Sequence, residues 1–198
     1  MLYYWARGGV YSDIDTTALK PISNWVPADL EPFGLAVGIE ADPDRPDWQD
    51  WYAGRIQFCQ WTIMSKPGHP VLIDIVASIT EKTLERKARN ELKLESMETV
   101  MEFTGPGIWT DTLFTYLNIP QLLDDSTTSS PSPITWQLFA SLREPIKVSD
   151  VVILPITCFS PGVGHMGSGS FGDRLALVSH GFSGNILCTV STWKWQSC

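Results

Sequence analysis

The sequence predicts an α/β protein in which a mixed sheet is flanked by helices. Compact apolar runs at 33–40 and 151–154 have the length and composition of buried strands. Between them, the segment 70–79 places apolar residues at helical spacing. With 43% hydrophobic and 18% charged residues the composition suits a globular protein, and residues 1–198 are interpreted as a single domain.

Near the N-terminus, two aspartates follow the first predicted strand. Residues 2–6 are apolar and predict the end of a helix or strand, and a glycine-hinged turn leads into a short strand at 9–11. Alternate side chains of an extended strand share a face. We therefore expect Asp13 and Asp15 to point the same way and Ile14 to point into the core.

Helices are predicted for much of the middle of the chain, after a loop with two prolines at 24–32 and the strand at 33–40. Asp47 is placed to cap the first helix, which ends at 66–68. The apolar positions of this helix are Trp48, Trp51, Tyr52, Ile56, Cys59 and Ile63. Pro70 opens a second helix, which continues into a charged, solvated stretch at 81–98, and Pro106 precedes a third.

The C-terminal part combines loops with one late core strand. Residues 124–133 are rich in Ser, Thr and Pro and predict an exposed loop insertion. The apolar run within 150–155 predicts the strand. The segment 159–173 contains five glycines, a density that suits a mobile loop over a site, and His165 lies within it.

The net charge of −8 argues against nucleic acid as a partner, because no basic stripe is available to neutralise phosphates. Any nucleotide ligand would need a cation to bridge the negative charges. The chain contains no run of 18 apolar residues and no basic segment followed by an apolar one at its start. These residues therefore predict neither a membrane anchor nor a signal peptide.

The pair Asp13 and Asp15 has the chemistry to clamp a hard divalent cation. Two carboxylates leave coordination positions open for water or for the phosphate oxygens of a substrate. The alternative is that both aspartates are solvated turn carboxylates. A second Asp-x-Asp triplet occurs at 42–44, which shows that this short pattern alone does not specify a metal site.

The context of these aspartates resembles the fungal Och1-type alpha-1,6-mannosyltransferases of glycosyltransferase family 32. The similar blocks are RGGVYSDIDT (7–16) with LKPI (19–22), GIEADPDRPDW (38–48), RIQFCQW (55–61), KPGHP (66–70), TGPGIWTD (104–111) and FSPGVGHMGS (159–168). They are ordered and spread over roughly the first 180 residues. Members of this family carry sequence before the first block, so the resemblance implies that the chain is N-terminally truncated and lacks the first βα unit or units and a membrane anchor.

The resemblance implies a GT-A-like fold for nucleotide sugars, with the Asp-x-Asp segment at the carboxyl end of the sheet. It further implies that Asp13 and Asp15 are catalytic and bind Mn2+ or another divalent cation against the diphosphate of GDP-mannose. His180 is the third ligand candidate, by its similarity to the His-x-Phe-x-Gly segment that closes such sites; the alternative is a satisfied core or surface histidine. Residues 185–191 separate this segment from Thr192-Trp193-Lys194, which departs from the family pattern.

Other residues are candidates for substrate binding. The turn Thr104-Gly105-Pro106-Gly107 opens a helix and is expected to offer free backbone N–H groups, unless it is only a loop-to-helix turn. The resemblance places the sugar and the acceptor near this turn, with Asp111 as a catalytic candidate and Trp109 as a binding candidate. The remaining candidates are Glu40 and Asp42 for sugar hydroxyls, or as turn carboxylates, and Arg7 for phosphate, or as part of a solvated turn. Gly9, close to Arg7 in the chain, is a further candidate for substrate binding.

The first functional hypothesis is a transferase that moves mannose from GDP-mannose to a mannose-containing N-glycan, initiating the alpha-1,6-mannosyl outer chain with retention of configuration. The resemblance implies the lumenal face of the Golgi membrane as its location and partner mannosyltransferase subunits. Retention is compatible with a covalent intermediate or with a same-face displacement. One alternative is a non-catalytic relic or fragment that does not bind nucleotide sugar, and a weaker one is a phosphate-ester hydrolase, which would need further metal ligands.

Overall fold

A five-stranded sheet forms the centre of the structure, a computed structural model that describes residues 1–92, 97–119 and 132–181. The strands of this sheet are β1 (Gly9–Ser12), β3 (Leu35–Ala41), β4 (Gln57–Ser65), β5 (Ile146–Val148) and β6 (Val151–Leu154). Their spatial order is β1-β4-β3-β6-β5. A separate two-stranded sheet pairs β2 (Thr16–Ala18) with β7 (Val178–His180).

The five-stranded sheet is mixed, and three of its strands end on the same side. β3 is parallel to β6 and antiparallel to β4, while β1 is antiparallel to β4. β1, β3 and β6 therefore run in one direction and finish at Ser12, Ala41 and Leu154. We call this side the carboxyl end of the sheet; β4 begins there, since Gln57 pairs with Ala41.

Helices and core clusters cover both faces of the sheet. The helices are α1 (Leu2–Arg7), α2 (Pro70–Ala88), α3 (Met97–Phe103), α4 (Pro106–Leu117) and α5 (Ile156–Phe159). α2 and α4 pack together on one face, where Val37, Phe58 and Leu113 belong to one buried cluster. The opposite face carries α5 and a second cluster that includes Trp61 and Phe159. The predicted mixed sheet flanked by helices is confirmed.

Most of the predicted elements occur close to their predicted positions. The buried runs form β3 and β6, and the segment after Pro70 forms α2 with that proline in the first turn. Glu85 and Arg89 form an i,i+4 ion pair at 3.9 Å at the end of α2, within the stretch predicted to be charged and solvated. α4 begins at Pro106 as predicted, whereas the short helix α3 was not predicted.

The helix predicted after Asp47 is wrong. Only Trp48–Asp50 forms a single 3-10 turn, and the second half of the segment is β4, which bonds to both β1 and β3. A strand buried on both faces carries apolar residues at nearly every position, so a subset of them falls at helical spacing by coincidence. The carboxylate of Asp47 does not cap a helix; it accepts two hydrogen bonds from Arg45 at 2.5 and 2.6 Å.

The glycine-rich segment that follows α5 contains no regular element up to Asp173, and Gly162, Gly164 and Gly167 adopt positive φ angles there. Its irregular path is confirmed, while its mobility stays a prediction. Of the insertion predicted at 124–133, only positions 132 and 133 are described, and both are exposed; the rest lies outside the described residues. None of the helices in the described ranges is both long and apolar enough to cross a lipid bilayer.

Candidate metal centre

Three side chains with metal-binding chemistry meet at the carboxyl end of the sheet. One ligand atom each from Asp13, Asp15 and His180 lies within 4.8 Å of the others. His180 Nε2 is 3.3 Å from Asp15 Oδ1. The two side chains are 10% and 24% exposed, so the cluster is sheltered but can still be reached from solvent.

A tight turn, not a continued strand, brings the two aspartates together. β1 ends at Ser12, and the backbone N–H of Asp13 donates to the carbonyl of Trp61 at 2.8 Å. The carbonyl of Asp13 then accepts from both the N–H (3.1 Å) and the hydroxyl (2.6 Å) of Thr16. Strand alternation does not apply inside such a turn, and Ile14, predicted to point into the core, is 95% exposed. That prediction is wrong.

The small sheet brings His180 next to the two aspartates, although most of the chain separates them in sequence. β2 and β7 are antiparallel, with Thr16 opposite His180. The N–H of Gly181 also donates to the carbonyl of Asp15 at 2.8 Å, which extends the pairing past the end of β7. The remainder of the His-x-Phe-x-Gly segment and residues 185–194 lie outside the described residues.

The indole ring of Trp61 stacks against the imidazole ring of His180. Their rings are stacked, with centroids 4.7 Å apart and an interplanar angle of 28°. A register irregularity in β4 carries Trp61 to this position: between the pairs Val37–Ile63 and Ile39–Phe58, one residue of β3 faces four residues of β4. Sequence reasoning missed Trp61, because the bulged segment was assigned to a helix and such an irregularity has no clear sequence signal.

Tyr11 supports Asp13 in a similar way. Its hydroxyl donates to Asp13 Oδ1 at 2.5 Å. Sequence reasoning also missed this contact, although residues two apart on a strand share a face and the alternation of β1 already placed Tyr11 beside Asp13. The hydrogen bond to Asp13 and, to a smaller extent, burial raise the pKa of Tyr11 to about 12, so the phenol remains a donor at neutral pH.

The electrostatics of the cluster suit a cation. Burial lowers the pKa of His180 below its ordinary value, and the charges of Asp15 and Asp13 oppose this only in part. A neutral imidazole therefore faces the aspartates at neutral pH and offers a lone pair instead of a proton. Two carboxylates and one imidazole fit a divalent ion such as Mn2+, and three protein ligands leave coordination positions open.

Glu40 is a partly buried acid near the end of β3. Its neighbour Ile39 packs in the cluster on the α2 and α4 face, so alternation directs Glu40 to the face that carries Trp61. Within the described part of the chain its buried Oε2 has no hydrogen-bond partner. Burial raises the pKa of Glu40 to about 8, which makes it a protonated acid at neutral pH.

Asp42 and Asp111 lie at the same end of the sheet but make different contacts. Asp42 Oδ2 accepts from the N–H of Ser141 at 2.5 Å and so fixes the loop after the short helical turn at 136–138. Burial raises the pKa of Asp42, although this hydrogen bond and the charge of Arg55 act against it. Asp111 is exposed on α4 and lines a pocket of about 330 Å³.

The turn that opens α4 does not offer the expected free N–H groups at Thr104 and Gly105. Both donate to the carbonyl of Val100, at 3.1 and 2.9 Å, and Pro106 has no N–H to offer. Gly105 is buried so closely that a Cβ atom would lie 2.7 Å from the carbonyl oxygen of Met101. This packing against the preceding helix corrects the prediction of open donors for Thr104 and Gly105.

Trp109, Arg7 and Gly9 are not brought to the metal cluster. Trp109 is 1% exposed, and its indole N–H donates to the carbonyl of Cys59 at 3.0 Å, so it belongs to the core. Arg7 is exposed at the end of α1. Gly9, with a φ of 103°, begins β1, roughly 13 Å of extended chain from Asp13.

Comparison with known proteins finds close relatives of one kind. The chain is 51% identical over 182 residues to the initiation-specific alpha-1,6-mannosyltransferase of Schizosaccharomyces pombe, covering 91% of this chain and 43% of that protein. It is 49% identical to the protein of the same name from Candida albicans, covering 93% of this chain and 51% of the relative.

A more distant relative from Saccharomyces cerevisiae is a putative glycosyltransferase, HOC1, which is 45% identical over 78% of this chain and 39% of its own length. The chain thus spans about half the length of the curated relatives it matches. No protein-family profile matches the chain.

Proposed function

We propose that this chain, which belongs to the family of fungal initiation-specific alpha-1,6-mannosyltransferases, carries the metal and donor site of such an enzyme. The reaction is transfer of mannose from GDP-mannose to a mannose-containing N-glycan, with retention of configuration. The observation that supports this most directly is the cluster of Asp13, Asp15 and His180 at the carboxyl end of the sheet. Open α/β sheets bind their ligands at that end.

Asp13, Asp15 and His180 would hold the cation, and we propose that this cation is Mn2+. When bound, the ion supplies charge neutralisation for the departing diphosphate as the glycosidic bond breaks. The chain's own contribution is to hold the ligands in place: Tyr11 fixes one oxygen of Asp13, and the ring of Trp61 fixes the plane of His180. Partners of this kind are needed because metal ligands act well only when their orientation is set.

Glu40 would contact a hydroxyl of the transferred sugar. A protonated carboxyl group both donates and accepts a hydrogen bond, as a sugar hydroxyl does. The buried Oε2 of Glu40 is a polar atom whose burial is costly unless it finds a partner, and a ligand hydroxyl would supply one. Asp42 and Asp111 remain proposed contacts for donor or acceptor hydroxyls.

The wider assignments are also proposals. We propose that the mixed sheet is part of a GT-A-like fold, and that the enzyme acts at the lumenal face of the Golgi membrane with partner mannosyltransferase subunits. Their support is the resemblance of the sequence blocks and the names of the relatives.

The alternatives considered from the sequence are less well supported. Across the described ranges, one group of three side chains could hold a metal, whereas a two-metal hydrolase needs a second set of ligands. The non-catalytic alternative is not favoured either, because the chain is 49–51% identical to named transferases and its three ligand candidates converge.

Calorimetry with GDP and GDP-mannose, in the presence and absence of Mn2+, tests the proposal. We expect binding that depends on Mn2+ and is lost in the double variant Asp13→Ala/Asp15→Ala. The matched control is Asp44→Ala/Asp50→Ala, which removes the same charge from two exposed positions outside the cluster. Binding that survives loss of both Asp13 and Asp15, or that needs no divalent ion, would contradict the proposal.

A further inference from the structure

A pocket of about 330 Å³ lies beside α4 at the carboxyl end of the sheet, and the metal centre does not use it. Its walls come from segments far apart in the chain: Trp48 and Arg55 before β4, Gln57 at its start, Asp111 on α4, and Thr135 and Trp136 near the following 3-10 turn. We call it the Trp136 pocket. Its volume is at the lower end of the range for small-molecule sites and suits one or two sugar rings.

The main surface of the pocket combines an aromatic ring with a fixed cation. The guanidinium carbon of Arg55 lies 4.6 Å from the centroid of the Trp136 ring. Gln57 is buried, and its side-chain oxygen accepts from the N–H of Ala53 at 2.6 Å, so its amide group has a fixed orientation. Asp111 adds an exposed carboxylate on the α4 side.

These groups favour a neutral, hydroxyl-rich ligand. An anion would meet Asp111, and a cation would meet Arg55, whereas sugar hydroxyls can donate to the first and accept from the second. The apolar face of a hexose packs well against an indole ring. Arg55 lies over one face of the Trp136 ring, so a saccharide would pack against the part of the indole that the guanidinium leaves open, within a pocket that also offers the carboxylate of Asp111.

The pocket and the metal centre lie at the same end of the sheet, although α4 packs on one face of the sheet and Trp61 on the other. Gln57 begins β4 at the pocket, and Trp61, which stacks on His180, is four residues further on, a path of at most about 13 Å along the strand. The charge of Arg55 also acts on Asp42, just beyond the end of β3. A ligand in the pocket would thus lie at the same end of the sheet as a sugar attached to a metal-bound diphosphate.

We infer that the Trp136 pocket binds the acceptor, an α-linked mannoside, through contact with Trp136 and hydrogen bonds to Asp111 and Arg55. The acceptor role rests on the proposed mannosyl transfer, whereas saccharide binding rests on the pocket itself. A competing occupant is the guanine base of the donor, which could also stack on an indole, so the experiment must separate the two ligands.

The experiment measures the binding of two ligands, a mannoside and GDP, to the same variants. Saturation-transfer NMR with methyl α-mannoside and α-linked mannobiose reports the saccharide, and calorimetry with GDP and Mn2+ reports the donor site. Trp136→Ala and Asp111→Asn test the pocket. Because Asp111 is exposed, Asp111→Asn should fold normally and so tests the pocket even if Trp136→Ala misfolds. The control is Trp51→Ala, since Trp51 is exposed, lies outside the pocket and carries Arg45 over its ring at 5.1 Å.

We expect both pocket variants to weaken mannobiose binding at least tenfold and to leave GDP binding unchanged, while Trp51→Ala binds both ligands as the unchanged chain does. No mannoside binding to the unchanged chain, or equal binding by the pocket variants, would overturn the inference. Loss of GDP binding instead of mannoside binding would assign the pocket to the base and also overturn it. If mannosides bind in the pocket but GDP with Mn2+ does not bind at all, saccharide binding by the pocket stands, whereas the acceptor role and the proposed transferase function both fail.

Discussion

The indole of Trp61 and the imidazole of His180 are stacked, with centroids 4.7 Å apart. Trp61 comes from an irregular part of β4 in the central sheet, and His180 ends a strand of the separate small sheet. Trp61 is 8% exposed, so the contact is part of the core as well as of the site. The position of one proposed metal ligand therefore depends on the packing between the two sheets.

Trp61→Ala should weaken Mn2+ binding about tenfold or more, because loss of a group that orients a metal ligand typically costs 10- to 100-fold in affinity. Removing a buried tryptophan should also lower the free energy of unfolding by about 3 kcal/mol or more. Electron paramagnetic resonance titration of Mn2+ and urea denaturation measure the two effects. Trp61→Phe keeps an aromatic ring and should recover most of the affinity; an equal loss in both variants would show that stacking is not the cause.

Tyr11→Phe should weaken Mn2+ binding roughly fivefold, since it removes one hydrogen bond to Asp13, worth about 1 kcal/mol at this exposed position. The same Mn2+ titration provides the measurement. Tyr3→Phe is the matched control, because Tyr3 is 80% exposed and lies outside the cluster. If both phenylalanine variants bind Mn2+ equally well, Tyr11 does not position Asp13.

Glu40→Gln should change how stability depends on pH. The pKa of Glu40 is raised by burial from 4.5 to about 8, so the folded state holds an extra proton between these values. The free energy of unfolding of the unchanged chain must then fall as the pH rises through this window. The variant lacks this fall, and its stability relative to the unchanged chain should increase by about 3 kcal/mol between pH 5 and pH 8.

Urea denaturation of the metal-free proteins at pH 5 and pH 8 measures this difference. The control is Glu102→Gln, since Glu102 is exposed on α3 and its substitution should leave the pH dependence unchanged. A constant difference between Glu40→Gln and the unchanged chain at both pH values would mean that Glu40 titrates as an ordinary carboxyl group.

Gly34→Ala should destabilise the fold by about 3 kcal/mol, near the upper end of the usual cost of overpacking. A Cβ atom at this position would lie 2.1 Å from Asp150 Oδ2 and 2.8 Å from His69. Asp150 cannot easily move away, because it accepts a hydrogen bond from Tyr116 at 2.9 Å and pairs with Lys66 at 3.0 Å.

Urea denaturation also checks this prediction. Gly172→Ala is the matched control: the nearest atom to its added Cβ is 3.9 Å away, and its stability should change by less than about 0.5 kcal/mol. Equal stability of the two alanine variants would contradict the close packing at Gly34.

The sequence was sufficient to predict elements whose signal is local. β3 and β6 are short apolar runs, and Pro70 and Pro106 mark the starts of α2 and α4. Prediction failed where tertiary contacts decide the conformation. β4 is buried on both faces and mimics helical spacing, and Ile14 lies in a turn fixed by the hydrogen bonds of Asp13 to Thr16.

The candidate site divides in the same way. Asp13, Asp15 and His180 could be nominated from motifs, because the chemistry of their side chains is visible in the sequence. Trp61 and Trp136 could not, since their roles depend on the irregularity in β4 and on contacts between residues distant in the chain. Residue type predicts which groups can act, and the fold determines which of them meet.

Asp15 and His180 stand near opposite ends of the described chain, yet the pairing of β2 with β7 places them side by side. Closing a loop of this length costs conformational entropy, and non-local contacts of this kind slow folding. The proposed metal centre therefore forms only when the first and last described segments have come together. Cation binding would then report that the first and last described segments have come together, and a chain that ended between Asp15 and His180 would lack the histidine ligand.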